Sequence, residues 1–402
     1  MLAFVVLIIL LLCLGVSYRY TKNIFAPAVY TNLIWMACIL VFLIVPNSLP
    51  SLTLRFCGCL TLWVVGFTFS SLSMHCVNLR TDEKPIEASK LIRDIYLIVS
   101  ICSSYILFDF YKDVLTYGVY DNIFINLRFA ATGNLPPHFS EPFSQKYGGV
   151  ASLIWGVCYT LEILYFKRKT WYRFFIILSI AGIYGFITVS KAVFVDFFIL
   201  SLVVLYLKKK VRLKTLIIIG SCLVALLVVM QTLRHGDDFS NLEERYEFIT
   251  LYLSSSMSAF DVIEPMSSEH IGENVFRVVY YIANKLGFSS IEPINPILPF
   301  IREPIVTNTY TIMYPFYRDF GAIAILPFAC LYGLFFGYIY KKMELSNRSS
   351  WYLILYVTFF KYLFYQYSSE CILTNLYPTL VRLMLLYFPF WYAKYVPSKI
   401  KS

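Results

Sequence analysis

Charge is scarce in this chain. Asp, Glu, Lys and Arg make up 14% of its 402 residues against 59% apolar ones, a balance that excludes an ordinary soluble domain. Common catalytic signatures are missing as well. The sequence has no Walker loop, no His-Glu-x-x-His pair, no nucleophile elbow and no cluster of metal ligands. ATP-driven transport and zinc hydrolysis therefore have no residues to rest on, and neither a metal nor a cofactor is expected. There is no repeat of fixed period and no low-complexity tract, and the inverted halves of many secondary transporters are not visible. The first 18 residues lack the basic leader and the small-residue cleavage site of a secretory signal, so they read as a retained helix. Ten cysteines are present, but none falls between 233 and 320, which argues against a disulfide framework. Cys57 and Cys59 sit in an apolar run with no His or acidic neighbour and read as packing residues.

What the chain has is apolar length. A membrane-crossing helix needs about 20 mostly apolar residues, because backbone polar groups in hydrocarbon must be satisfied within the segment. Eleven stretches qualify: 2–18, 25–45, 54–76, 95–115, 148–166, 172–190, 192–207, 215–232, 321–340, 351–369 and 371–393. The expected fold is an all-α integral membrane protein, a polytopic bundle of about 11 transmembrane helices with 1–402 forming one membrane domain. Basic clusters at 19–22, 80–93, 167–173, 208–214, 341–348 and 394–401 then fall on one side. By the positive-inside rule that side is the cytoplasm, and the C-terminus lies there. The net charge of +10 reads accordingly as loops facing anionic lipid, with no nucleic-acid partner.

The same alternation puts two segments outside: a smaller loop, 116–147, and a large one, 233–320. The large loop is rich in acids, and it is where most of the chemistry is expected. Its stretch 243–263 has helical spacing suited to an amphipathic helix lying along the interface.

Charges inside spans need a partner or a purpose, since each is costly in hydrocarbon. Lys191 and Asp196 stand near a tight outer turn, Lys361 and Arg382 near the middles of the last two spans, and Glu162 is deep enough to pair with one of them. Pro378 and Pro389 are expected to break the last helix on either side of Arg382. Arg234 and His235 follow an apolar helix directly, before Gly236 and Asp237. Arginine suits a diphosphate because its planar fork makes paired, charge-assisted hydrogen bonds, and His235 can move a proton near neutral pH. Arg318 and Asp319 open the ninth span after Tyr310, Tyr314 and Tyr317, tyrosines suited either to an interfacial belt or to sugar stacking. Asp319 also fits as a helix cap. Arg128, His138 and Glu141 are further candidates in the smaller loop.

The layout resembles the O-antigen polymerases (Wzy-type, oligosaccharide repeat-unit polymerases), Phe- and Tyr-rich chains with one large periplasmic loop in the second half. The stretch NTYTIMYPFYRDFGAIAILPFACLYGLFFGYIY from 308 to 340 resembles that family's aromatic run through Asp-Phe-Gly into a Gly-rich helix. LRHG at 233–236 resembles its Arg-Gly element, with His235 intervening, and VSKAVFVD at 189–196 is similar to its Ser-Arg turn, with Lys191 where Arg is common. The resemblance implies a GT-C-like, metal-independent glycosyltransferase of the bacterial inner membrane, working at the periplasmic face. Such an enzyme joins undecaprenyl-diphosphate-linked repeat units, and a separate chain-length regulator protein would be its partner. It further implies diphosphate contacts by Arg234, Arg318, Lys191 and Arg128, a base among His235, Asp237 and Asp319, and sugar contacts by Tyr310, Tyr314 and Tyr317. An O-antigen ligase acting on lipid A core would share this layout. A lipid-linked oligosaccharide flippase or other transporter would instead favour short loops.

Overall fold

Leu, Phe, Ile and Val in long uninterrupted runs leave the backbone no route but helix in an apolar medium, and helix is what forms. The computed structural model is 73% helical and has no strand among the described residues, only one antiparallel bridge between Ile301 and Thr307. The structure describes residues 2–79, 86–132, 143–212, 242–295, 306–346 and 350–396, with scattered positions in 214–229 and 298–302.

Seven helices among these are long and apolar enough to cross a membrane: Leu2–Thr21, Pro27–Ile44, Leu54–Cys76, Lys90–Thr116, Tyr147–Leu164, Arg168–Ile187 and Ala322–Leu345. Each matches an expected span. Three further expected spans form helices that miss that standard: Lys191–Leu207, Ser350–Tyr365 and Leu376–Tyr395. The span at 215–232 lies largely outside the described residues.

The chain groups into two compact units. The first comprises Met1–Glu83, Asn241–Asn347 and Thr358–Leu380. Its frame is α1 (Leu2–Thr21), α2 (Pro27–Ile44) and α3 (Leu54–Cys76), with α3 in broad contact with the helix Ile325–Leu345. Small residues allow that closeness, as they do wherever membrane helices pack through van der Waals contact. Gly333 and Gly337 stand four apart, and a Cβ on Gly333 would lie 2.0 Å from Ser70 Oγ and 2.5 Å from Phe67 O. A Cβ on Gly337 would lie 2.6 Å from Ser71 O. Polar pins cross the apolar interior: Trp35 and Trp63 both donate their indole N–H to Gln366 Oε1, at 3.1 and 3.3 Å. Asn32 donates to Thr68.

The helix Leu242–Phe260 does not lie along an interface over its whole length. Residues Ser254 to Phe260 are all buried, and the helix packs on α2. Its end is fastened by Asp261, which accepts from the backbone and hydroxyl of Thr53 and lies 3.8 Å from Arg55.

The second unit comprises Lys84–Ser240, Arg348–Val357 and Val381–Ser402. Here the expected pairing of Glu162 is corrected. Glu162 is buried and bonds Arg93 at 3.1 Å and Arg173 at 2.9 Å, while Arg173 also bonds Asp94. Arg382 instead donates to Gly156 O and Thr160 Oγ1. The last helix is likewise unbroken, running through Pro389. Pro378 falls in its first turn, where the missing N–H has no helical partner to lose. Pro389 deprives Leu385 of its usual donor, and the hydroxyl of Tyr96 supplies one at 3.0 Å.

Candidate functional site

A short helix places the aromatic run. Tyr314–Phe320 begins with Pro315 in its first turn and stops at Gly321, whose φ of 75° favours glycine. Its Phe316 stacks on Trp63, with ring centroids 5.9 Å apart. Just upstream, Ile312 N donates to Gln366 O. The residue that gathers two indoles thus also anchors the approach to this helix.

Beside it, wholly within the first unit, lies a cavity of about 200 Å³. Its walls include Asn274, Arg277, Asn295, Tyr310, Tyr314 and Glu370, with Cys371 and Asn375 beyond them. The mixture of amide, phenol and guanidinium groups around an aromatic wall suits a polar, hydroxyl-rich ligand with an anionic group.

The charges in and around the cavity are unequally committed. Glu370, buried, accepts from the backbone N–H of Ile372, Leu373 and Thr374, from the Thr374 hydroxyl, and from Tyr332 at 2.7 Å. It shapes the turn that forms one wall. Asp319, also buried, accepts from Ser268 Oγ and Asn274 Nδ2, both at 2.6 Å, and from the N–H of Asn274 and Val275. Asp319 thus clamps the 268–275 loop, and to act as the expected base it would first have to release that loop.

The cations retain capacity. Arg277 spends Nε on Ile294 O at 2.6 Å, and burial pulls its pKa down from the usual arginine value. Arg318 donates Nη1 to the Tyr314 hydroxyl, and its buried Nε has no hydrogen-bond partner among the described residues.

The three tyrosines have distinct surroundings. Tyr310 and Tyr314 line the cavity but pack on each other, centroids 4.7 Å apart, and are only 3% and 4% exposed. Tyr317 packs on Phe260 and lies under Arg55, away from the cavity lining. The rings of Tyr317 and Tyr314, expected to meet sugar, are thus engaged in packing within the unit. Burial pushes both the Tyr310 and Tyr314 phenols above the usual tyrosine range, and Arg318 opposes that rise.

The structure brings Arg318, Tyr310 and Tyr314 together and sets Asp319 just behind them. Arg128 and Lys191 belong to the second unit. Arg128 lies on the helix Ile123–Thr132, whose Leu127 and Ala130 are buried in one cluster with Val189. Val189, at φ 46°, makes the sharp turn from which the helix of Lys191 starts. Arg234, His235 and Asp237 lie outside the described residues, as do His138 and Glu141.

Sequence reasoning missed Arg277, Asn274, Asn375 and Glu370. A signal existed for Glu370: a lone acid in Ser-Ser-Glu at the seam of two apolar runs. Arg277 opens an ordinary amphipathic helix, Arg277–Lys285, and nothing local distinguishes it. No family model, no curated protein and no solved structure matches the chain.

Proposed function

We propose that this chain is an O-antigen polymerase, a metal-independent glycosyltransferase with a GT-C-like bundle of about 11 spans. It would join undecaprenyl-diphosphate-linked repeat units at the periplasmic face of the bacterial inner membrane. The observation that carries this reading is the cavity itself. A helical, membrane-type protein sets Arg277, three Asn side chains and a paired Tyr310–Tyr314 wall around one space, with Arg318 directly behind.

The reaction needs cations for a departing diphosphate, a proton acceptor and a site shielded from water. The acceptor hydroxyl oxygen bonds the anomeric carbon of the donor glycan, whose bond to the diphosphate oxygen breaks. The electron pair leaves with the diphosphate, and the hydroxyl proton passes to a base. In this reading Arg277 faces the diphosphate and Arg318 acts from behind Tyr314; Arg234, Lys191 and Arg128 stay candidate diphosphate contacts by resemblance alone. His235, Asp237 and Asp319 are the candidates for the base. A separate chain-length regulator would act as partner.

The test is the length distribution of surface polysaccharide in a host with the gene deleted. Collapse of the ladder to core bearing one repeat is the expected result, and Arg277→Ala and Arg318→Ala should reproduce it with protein still in the membrane. Core without any repeat, with lipid-linked polymer accumulating, would identify an O-antigen ligase. An unchanged ladder would remove both readings and leave a lipid-linked oligosaccharide transporter.

A further inference from the structure

Two donors at the cavity have no acceptor among the described residues. Three carboxylates in and around the cavity are committed: Glu370 to its own turn and Tyr332, Asp319 to Ser268, Asn274 and Val275, and Glu273 to the N–H groups of Glu269 and His270. Arg277 has only Nε engaged, so its two terminal nitrogens have no acceptor among the described residues. Tyr314 is the more informative case. Its oxygen accepts from Arg318, which fixes that lone pair and leaves the phenolic proton to be donated elsewhere. No acceptor for that proton exists among the described residues, although the side chain is 96% buried, being 4% exposed, and lines the cavity.

We propose that the Tyr314 hydroxyl, held and polarised by Arg318, donates a hydrogen bond to an oxyanion of the ligand, which Arg277 neutralises within the same cavity. Tyr314 is thus a binding donor, and Arg318 a positioning residue acting through it. A phenol that accepts from a guanidinium is a stronger donor than an isolated one, because hydrogen bonds in series polarise one another. A phenol is protonated at neutral pH and burial moves its pKa further up, so the donor is present under ordinary conditions. Two ligand groups share the required chemistry, a diphosphate and the carboxylate of an acidic sugar. The inference rests on the polymerase reading only for the choice between them.

Cys371, on the cavity wall, provides a reporter that does not depend on activity. The full-length protein in detergent would be treated with a small maleimide, and modification of the Cys371 peptide followed by mass spectrometry. Inorganic diphosphate and glucuronate would be tested separately as protecting probes. One of them should slow the modification. Tyr314→Phe should raise the half-protecting concentration about tenfold while leaving the rate without probe unchanged, as expected for one hydrogen bond to a charged group. Arg277→Gln should raise it at least as much, and Arg318→Lys, which retains a donor, less. Protection by diphosphate supports the site and its lipid-carrier assignment. Protection by glucuronate alone supports the oxyanion site and overturns the diphosphate assignment. The proposal fails if neither probe protects, or if Tyr314→Phe and Arg277→Gln are protected at the wild-type concentration. The polysaccharide ladder is a separate measurement, so failure of the oxyanion site and failure of the polymerase reading remain distinguishable.

Discussion

At Glu370 five donors converge on two oxygens, and three of them are consecutive backbone N–H groups that no other side chain meets. Glu370→Gln turns one of those oxygens into an NH2 group facing donors. Each buried donor left unsatisfied costs about 1–3 kcal/mol, so thermal unfolding in detergent should show a clear loss, together with loss of polymer. Asp319→Asn separates a clamp from a base. A clamp predicts faster proteolysis within 266–276 with residual polymer, whereas a base predicts normal proteolysis and no polymer. For the tyrosines the sign follows from burial: with folded pKa values raised, their stabilisation is complete below the unfolded value of about 10 and disappears as pH rises through the higher folded value. Diphosphate protection of Cys371 should accordingly be level from about pH 7 to about pH 9.

Among the helices, the approach of α3 to Ile325–Leu345 depends on two positions without side chains. Gly333→Leu would drive a branched side chain into Ser70 and the Phe67 carbonyl, and should abolish recovery of folded protein by size exclusion. In the second unit, Glu162→Leu would remove the carboxylate that the buried Arg173 and the half-buried Arg93 share, leaving Arg173 only Asp94. Breaking a buried ion pair on one side costs roughly 3–5 kcal/mol, which a melting curve would register. Periodicity made the helices themselves legible, because apolar runs of span length admit little else. Where each helix ends was harder to read. The seam at 366–375 is set by Glu370 gathering N–H groups, and the survival of the last helix through Pro389 is set by Tyr96, a residue far away in sequence.

For the molecule as a whole, the sequence marked the Tyr-rich run and Arg318 as candidate chemistry; Tyr310 and Tyr314 line the cavity, and Arg318 bonds the Tyr314 hydroxyl from outside its lining. It did not mark the opposite walls. Asn274, Arg277 and Asn375 look unremarkable in their own segments and acquire meaning only when segments far apart in the chain are folded together. Tyr317 and Asp319 carried the same local signal as Tyr314 and Arg318. One helical turn sends the first pair into packing and loop clamping, while Tyr314 lines the cavity with Arg318 bonded to its hydroxyl, a distinction that spacing alone did not express.

The first unit is assembled from three separated stretches of chain, and Gln366 and Glu370 belong to the last of them. During synthesis, α2 and α3 therefore enter the membrane long before the residue that receives both of their indoles has been translated. Until then the two tryptophans have no Gln366 to bond, and Tyr332 lacks its carboxylate. Nascent chains arrested before residue 358 should bind membrane insertion factors or chaperones for longer than chains extended past residue 380. The cavity is thus among the last features of the protein to form, since one of its walls is the turn that Glu370 gathers.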